Sequence, residues 1–198
     1  MKLYVVDGPI GSGKTSLLAF LLRATKCNIE IVSADVYYNA FFEGVFPESK
    51  RSYILANQFL EYKKKQLLRK KEAFILEIVL SKEEKLDYLR ECKYLGYSVI
   101  GIYVGTDAPE INITRVRQRN KLIESSVSEK KVLNRYYRCM NNMRIFFGIC
   151  DEFMVINNST DPEVIHYSIG KRTILRKQNY WLDNYLPLEK SWSAKSEL

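Results

Sequence analysis

Histidine is almost missing from this chain. Of 198 residues only His166 is one, and it lies in the C-terminal tail, a poor place for a catalytic imidazole. Cysteine is sparse too. Cys27, Cys92, Cys139 and Cys150 are scattered, with no C-x-x-C pair. That argues against a zinc site or a disulfide framework and suits a reducing compartment. No apolar run approaches the roughly 20 residues of a membrane span. The start, Met1–Lys2–Leu3–Tyr4, runs straight into an apolar strand pattern and lacks the apolar core and cleavage site of a signal peptide. A cytoplasmic location without membrane attachment is expected. There are no internal repeats and no low-complexity tract.

What is abundant is basic charge. The formal net charge is +8 and the pI about 9.2. The cations fall in three groups: Lys63–Lys64–Lys65 with Arg69–Lys70–Lys71; Arg115, Arg117 and Arg119; and Lys171–Arg172 with Arg176–Lys177. An anionic small substrate accounts for the middle group. The outer groups read as solvated helix faces and tail, so nucleic acid is not an expected partner. A hydrophobic content of 46% is ample for one core in a chain of this length.

Glycine is also scarce, with nine in all, yet three fall within Gly8–Pro9–Ile10–Gly11–Ser12–Gly13–Lys14–Thr15. This G-x-x-x-x-G-K-T segment follows the apolar run Leu3–Tyr4–Val5–Val6 and precedes Ser16–Leu17–Leu18–Ala19–Phe20–Leu21–Leu22, which predicts strand, loop, helix. Glycines let the backbone curl with its N–H groups inward, so a polyphosphate can be cradled. The helix start adds free N–H groups and a positive dipole end. Residues 8–16 are therefore the expected nucleotide-binding loop. Lys14 would reach the β- and γ-phosphates, and the Thr15 hydroxyl would hold Mg²⁺.

Further along, strands and helices alternate. Ile29–Ser33 predicts a short strand ending at Ala34–Asp35. Ligands bind outside the carboxyl ends of such strands, so Asp35 is a candidate general base or Mg²⁺-shell residue, and it can at the same time cap the following helix. Pro47–Glu48–Ser49 introduces a helical pattern from about Lys50 to Lys71. Ala73–Leu80 is a continuous apolar run interrupted by Glu77, the pattern of a central parallel strand. Glu77 reads either as an edge position or structural ion pair, or, preferably, as a substrate-facing carboxylate near the strand end. Ser81 with Glu84 predicts a capping box for a helix over Glu83–Leu95, closed by Gly96. A strand over Ser98–Val104 and a helix opening at Asp107–Ala108–Pro109 follow.

Arg115 and Arg119 are four apart on that helix and share one face, while Arg117 points elsewhere. A polar stretch, Asn120–Ser128, leads to a helix from Glu129 to about Phe147 that carries Arg135. Arginine helix, polar flap, arginine helix is the layout of a lid over transferring phosphates, because guanidinium clamps phosphoryl oxygens with planar, bidentate geometry. Arg117, Arg138 and Arg144 read as plain surface arginines. Glu152–Asn157 predicts the last sheet strand, Val164–Ile169 a short strand pattern, and Tyr180–Leu186 an aromatic helical piece that packs back on the domain. Ser191–Leu198 is expected to fray.

The expected fold is α/β: a P-loop NTPase three-layer α/β/α sandwich with a mostly parallel sheet of five or slightly more strands and an arginine-bearing lid. The series Gly8–Thr15, Ser33–Ala34–Asp35, Ile75–Ser81, Gly96–Val99 and Arg115–Arg119 resembles the zeta toxins and short zeta-like kinases, and Val127–Glu129, Asn134–Tyr136, Asp151–Glu152 and Asn157–Ser159 continue the likeness. It covers about residues 2–165 in order. The resemblance implies a kinase domain over 1–165 with a lid at about 115–135, and an extension over 166–198 packed on the same domain. It also implies transfer of the γ-phosphate of ATP or GTP, with Mg²⁺, to a sugar hydroxyl; zeta toxins act on UDP-N-acetylglucosamine. By position Asp35 matches the catalytic base, Glu77 and Ser81 the substrate-contacting strand, and Arg119 and Arg135 the lid arginines. Arg115 is a further substrate-side candidate. A proteinaceous antitoxin is a possible partner on the same basis.

The chain departs from the family at several points. Ser33 replaces an asparagine, Ile78 and Val79 replace two threonines, and Ile123–Glu124–Ser125–Ser126 stands where short relatives have glycine–glycine–histidine. These lie on the acceptor and lid sides. A nucleoside, nucleotide, other metabolite or polynucleotide kinase of the same fold, or a nucleotide-binding regulator without turnover, fits the same residues.

Overall fold

A computed structural model describes residues 1–25, 29–42, 50–120 and 127–187. Cys27, Pro47–Ser49, the flap residues 121–126 and Ser191–Leu198 lie outside the described residues. The elements, in chain order, are β1 (Lys2–Asp7), α1 (Lys14–Thr25), β2 (Glu30–Val32), α2 (Ala34–Phe42), α3 (Lys50–Lys70), β3 (Phe74–Glu77), α4 (Glu83–Tyr94), β4 (Ser98–Gly105), α5 (Pro109–Asn120), α6 (Glu129–Ile149), β5 (Glu152–Asn157), β6 (Glu163–Ile169), β7 (Arg172–Arg176) and α7 (Tyr180–Tyr185).

Alternation of side chains along β1 splits the core in two. Val6, with Ile75, Val104 and Ile156 of the neighbouring strands, packs against Leu17 and Leu18 of α1 on one face. Leu3 and Val5 face the other way, into the larger cluster that includes Leu86 and Leu89 of α4, Met140, Met143 and Phe146 of α6, and Trp181 and Leu182 of α7. Two covered faces account for strands that read as near-continuous apolar runs. The sheet order is β2-β3-β1-β4-β5-β6-β7. The first five strands are parallel, with Val6 opposite Glu77 and Ile102. Among the described residues no helix is long and apolar enough to cross a membrane.

Several local expectations need correction. Glu152–Asn157 is not the last strand, because β6 and β7 extend the sheet by two antiparallel strands. The apolar run Ala73–Leu80 is strand only from Phe74 to Glu77; beyond it the backbone turns, with the Ser81 amide donating to the Val79 carbonyl at 2.8 Å. Ser81 does not cap α4. Lys82 is the N-cap residue, and no side chain caps that end. The other end is as expected: Gly96 has φ +87°, its N–H reaches the Lys93 carbonyl and that of Tyr97 the Cys92 carbonyl, the paired closure of a Schellman motif. Lys64 is not a solvated cation. It is buried, with its ammonium 3.7 Å above the Tyr88 ring.

The C-terminal elements bind tightly to this frame. β6 runs across residue 165, and Trp181 of α7 lies on β4 so closely that a Cβ on Gly105 would meet its ring at 2.5 Å. The Trp181 indole N–H donates to Asp107 at 3.1 Å.

Candidate functional site

The loop between β1 and α1 requires its glycines for different reasons. Gly11 and Gly13 have φ of +80° and +89°, the left-handed region that side chains avoid. At Gly8 a Cβ would sit 2.1 Å from the Val104 carbonyl oxygen. The loop is braced from outside by two amides. Asn112 of α5 donates to the Ile10 carbonyl and Asn158 donates to the Ser12 carbonyl, each at 2.7 Å. Lys14 is buried and turns its ammonium back on the carbonyls of Gly8 and Pro9, at 2.9 Å each. It thus caps the loop from within.

At the mouth of the loop three predicted or flanking residues meet. Thr15 donates its hydroxyl to Glu77 Oε1 at 2.5 Å, and Ser33 donates to Glu77 Oε2 at 2.9 Å. Glu77 is the last residue of β3 and is buried. Its carboxylate is satisfied by hydroxyls at the open end of the sheet, in the position expected of a strand-end site residue. Thr15 itself is exposed. An exposed hydroxyl beside a carboxylate is a hard oxygen set, and it fits Mg²⁺, which is usually held by one or two protein oxygens together with substrate phosphates and waters. No cluster of three or more His, Cys, Asp or Glu side chains suited to a metal occurs among the described residues.

Asp35 stands exposed in the first turn of α2, two residues beyond Ser33. Arg119 is exposed in the last turn of α5. Arg115 donates to the Ser159 carbonyl at 3.0 Å, so in this state it fastens the segment after β5. Arg117 pairs with Glu129, tying the end of α5 to the start of α6 across the flap.

Ser81 and Arg135 come together in a cleft of about 400 Å³, lined also by Lys82, Ser128, Lys130, Lys131, Asn134 and Arg138. Five cations on one small cleft create a strongly positive field. Arg138 is exposed, as expected of a surface arginine, and also lines this cleft. A shallower depression, lined by Ile54, Gln58 and Tyr62 among others, lies on α3 alone and contains none of the motif residues.

Beneath the cleft lies a residue that the sequence reading passed over. Asp7 ends β1, is fully buried, and accepts from the Leu80 amide at 2.8 Å. Burial pushes its carboxyl up to about 6, opposed by the Leu80 amide and by Lys14 and Lys85. The Lys85 ammonium donates to the Val79 carbonyl at 2.9 Å and is held below the usual lysine range by burial. An acidic residue closing an apolar strand was the available signal. Nothing local marked Asn112, Lys130 or Lys131, and Asn158 stood out only as part of the zeta-like series; all four reach the site through the fold.

No protein-family model matches the chain. Solved structures do. A crystal structure of AvrRxo1-ORF1:-ORF2 with ATP superposes over all of this chain and 66% of that chain, at 18% identity and a TM-score of 0.70. The PezAT chromosomal toxin–antitoxin system of Streptococcus pneumoniae superposes over 96% of this chain and 81% of that one, at 14% identity and a TM-score of 0.64. A chain of the Pnkp1/Rnl/Hen1 RNA repair complex matches 73% of this chain and 46% of its own length, at 17% identity and a TM-score of 0.54. This chain spans just under two thirds of the length of the AvrRxo1-ORF1:-ORF2 chain. At these identities the likeness concerns the fold, and the fold is the P-loop NTPase fold expected from the motifs.

Proposed function

We propose that the protein is a kinase that moves the γ-phosphate of ATP or GTP to a hydroxyl of a small acceptor, a sugar or nucleotide-sugar such as UDP-N-acetylglucosamine. The observation that carries this reading is that the phosphate loop and the cationic cleft of Ser81 and Arg135 share the carboxyl edge of the parallel sheet, joined by the Asp7–Leu80 hydrogen bond. A donor held on the loop would then face an acceptor held in the cleft. The binding of ATP by the structurally similar AvrRxo1-ORF1:-ORF2 complex supports the donor. The positive cleft suits an acceptor that already carries phosphate.

In this reading the loop amides and Lys14 hold the donor phosphates, with Lys14 leaving the Gly8 and Pro9 carbonyls to do so. Thr15 would hold Mg²⁺, which would supply charge neutralisation to the donor phosphates. Glu77 orients the Thr15 hydroxyl and lies beside the acceptor. Asp35 accepts the acceptor's hydroxyl proton, and Arg119 and Arg135 stabilise the equatorial oxygens. The chain's likeness to the PezAT system supports a protein partner that restrains the activity.

The test is incubation of a metabolite extract with ATP and the protein, read by mass spectrometry. A new phosphorylated species that vanishes with Lys14→Ala supports a kinase and names the acceptor. ATP binding with no acceptor phosphorylated would leave a nucleotide-dependent regulator. Phosphorylation of oligonucleotide 5′ ends alone would move the acceptor class to nucleic acid.

A further inference from the structure

We propose that Asp7 is a positioning residue that ties the Val79–Ser81 turn, and with it the acceptor cleft, to the base of the phosphate loop. This rests on the kinase reading for its purpose, though not for its geometry. The turn after β3 is held at four points. The Ile78 amide donates to the Val6 carbonyl at 3.0 Å, Lys85 to the Val79 carbonyl, the Leu80 amide to Asp7, and Asn142 of α6 to the Leu80 carbonyl at 2.8 Å. Ser81, the next residue, opens into the cationic cleft. Gly8, the residue after Asp7, begins the phosphate loop. One carboxylate therefore stands between the two halves of the site.

The choice of a carboxylate is costly. Asp7 is fully buried, and its second oxygen has no hydrogen-bond partner. Such atoms are rare in folded proteins and call for an explanation. Accepting one amide proton needs only a neutral carbonyl, which asparagine would supply. What asparagine lacks is charge. Asp7 interacts electrostatically with Lys14 of α1 and Lys85 of α4, and Arg135 and Cys139 of α6 act on the same Lys85. Tyr103 of β4, Cys139 and Cys150 also feel Asp7, but burial holds all three well above their usual values and they stay neutral near pH 6. The charge that offsets the buried lysines is that of Asp7. Burial outweighs these cations, so the closed turn holds a protonated Asp7 more readily than an opened, solvated turn does.

The consequence is a turn whose rigidity follows the ionisation of Asp7. Hydrogen–deuterium exchange on the full chain, corrected for the intrinsic pH dependence, reads it at the Leu80, Ser81 and Lys82 amides. Protection in the wild type should rise about tenfold as pH is lowered from 7.5 to 5, because the closed turn binds the Asp7 proton more tightly than an opened one. In Asp7→Asn it should be flat over that range. In Lys85→Met, which removes the neighbouring cation and leaves the carboxylate, the midpoint should move to higher pH. The affinity for a non-hydrolysable ATP analogue should change less than threefold in either variant. Protection that is flat in the wild type, a midpoint that survives Asp7→Asn or stays put in Lys85→Met, or loss of nucleotide binding in step with loss of protection, would each overturn the proposal. An absence of nucleotide binding in the wild type would instead sink the kinase reading, and exchange at Leu80 would still report on Asp7.

Discussion

Thr15 and Glu77, 62 residues apart in sequence, share a hydrogen bond of 2.5 Å at the mouth of the phosphate loop. The same carboxylate accepts from Ser33 through its other oxygen. Glu77→Gln removes one acceptor and puts an amide N–H against a hydroxyl. Turnover should fall about 10²–10³-fold, the scale of losing one site-orienting polar contact. The Mg²⁺ concentration needed for half-maximal rate should rise, with nucleotide affinity within a few-fold of wild type. Steady-state kinetics over a Mg²⁺ titration checks this. An unchanged Mg²⁺ requirement would show that Glu77 does not govern the Thr15 hydroxyl.

Asp35 is the proposed proton acceptor, and its exposure leaves it free to meet an acceptor hydroxyl. Asp35→Asn should reduce transfer at least about 10²-fold, the usual contribution of general base catalysis, while nucleotide binding stays intact. Parallel binding and turnover measurements separate the two. Full turnover in Asp35→Asn would give the role of base to another group.

Two buried groups should pull stability in opposite directions over one pH range. The folded-state pKa of Asp7 is raised to about 6, so its contribution is present in full below its unfolded value and is lost as pH rises through 6. His166 is buried against Phe147 and Phe153 and is pushed down to about 4, chiefly by burial. Its unfolded form gains a proton first, so stability falls as pH drops from about 6.5 towards 4. Each slope is at most about 1.4 kcal/mol per pH unit, and between pH 4 and 6 they offset each other. Asp7→Asn should unmask the His166 slope, giving a steeper acid-side loss in urea titrations. An unchanged slope in that variant would remove Asp7 from the balance.

Trp181 is 4% exposed and covers Gly105 and the Tyr103 ring. Trp181→Ala should cost about 3–5 kcal/mol, as truncating a buried large aromatic does. Urea unfolding with an unchanged m-value would check it. A loss below about 1 kcal/mol would mean that α7 is not part of the core.

The phosphate loop was legible because its chemistry is local. Glycines, lysine and threonine at fixed spacing between an apolar strand and a helix admit little else, and the parallel sheet follows from alternating strands and helices. The zeta-like series added Asp35, Glu77, Ser81 and the arginines by position. Boundaries were less legible, as β3 shows. Its apolar run continues to Leu80, but the strand ends at Glu77 and the backbone turns after the Ile78 amide's bond to Val6, with the Ser81 amide closing on the Val79 carbonyl. β7 escaped notice because Arg172–Arg176 is only partly buried and pairs at the sheet edge, so its sequence carries little apolar pattern.

The sequence by itself determined the glycine-rich P-loop at Gly8–Thr15 between β1 and α1, because backbone conformation there depends on neighbours in the chain. Only the tertiary structure decided what surrounds it. Asn112 and Asn158 brace the loop, Glu77 binds Thr15 and Ser33, and Asp7 stands between the phosphate loop and the cleft of Ser81 and Arg135. Glu77 with Ser33 and Thr15, and Asn158 with Ser12, are 44, 62 and 146 positions apart and meet only through the folded sheet. These pairings depend on strand order and register, which no local pattern of residues specifies.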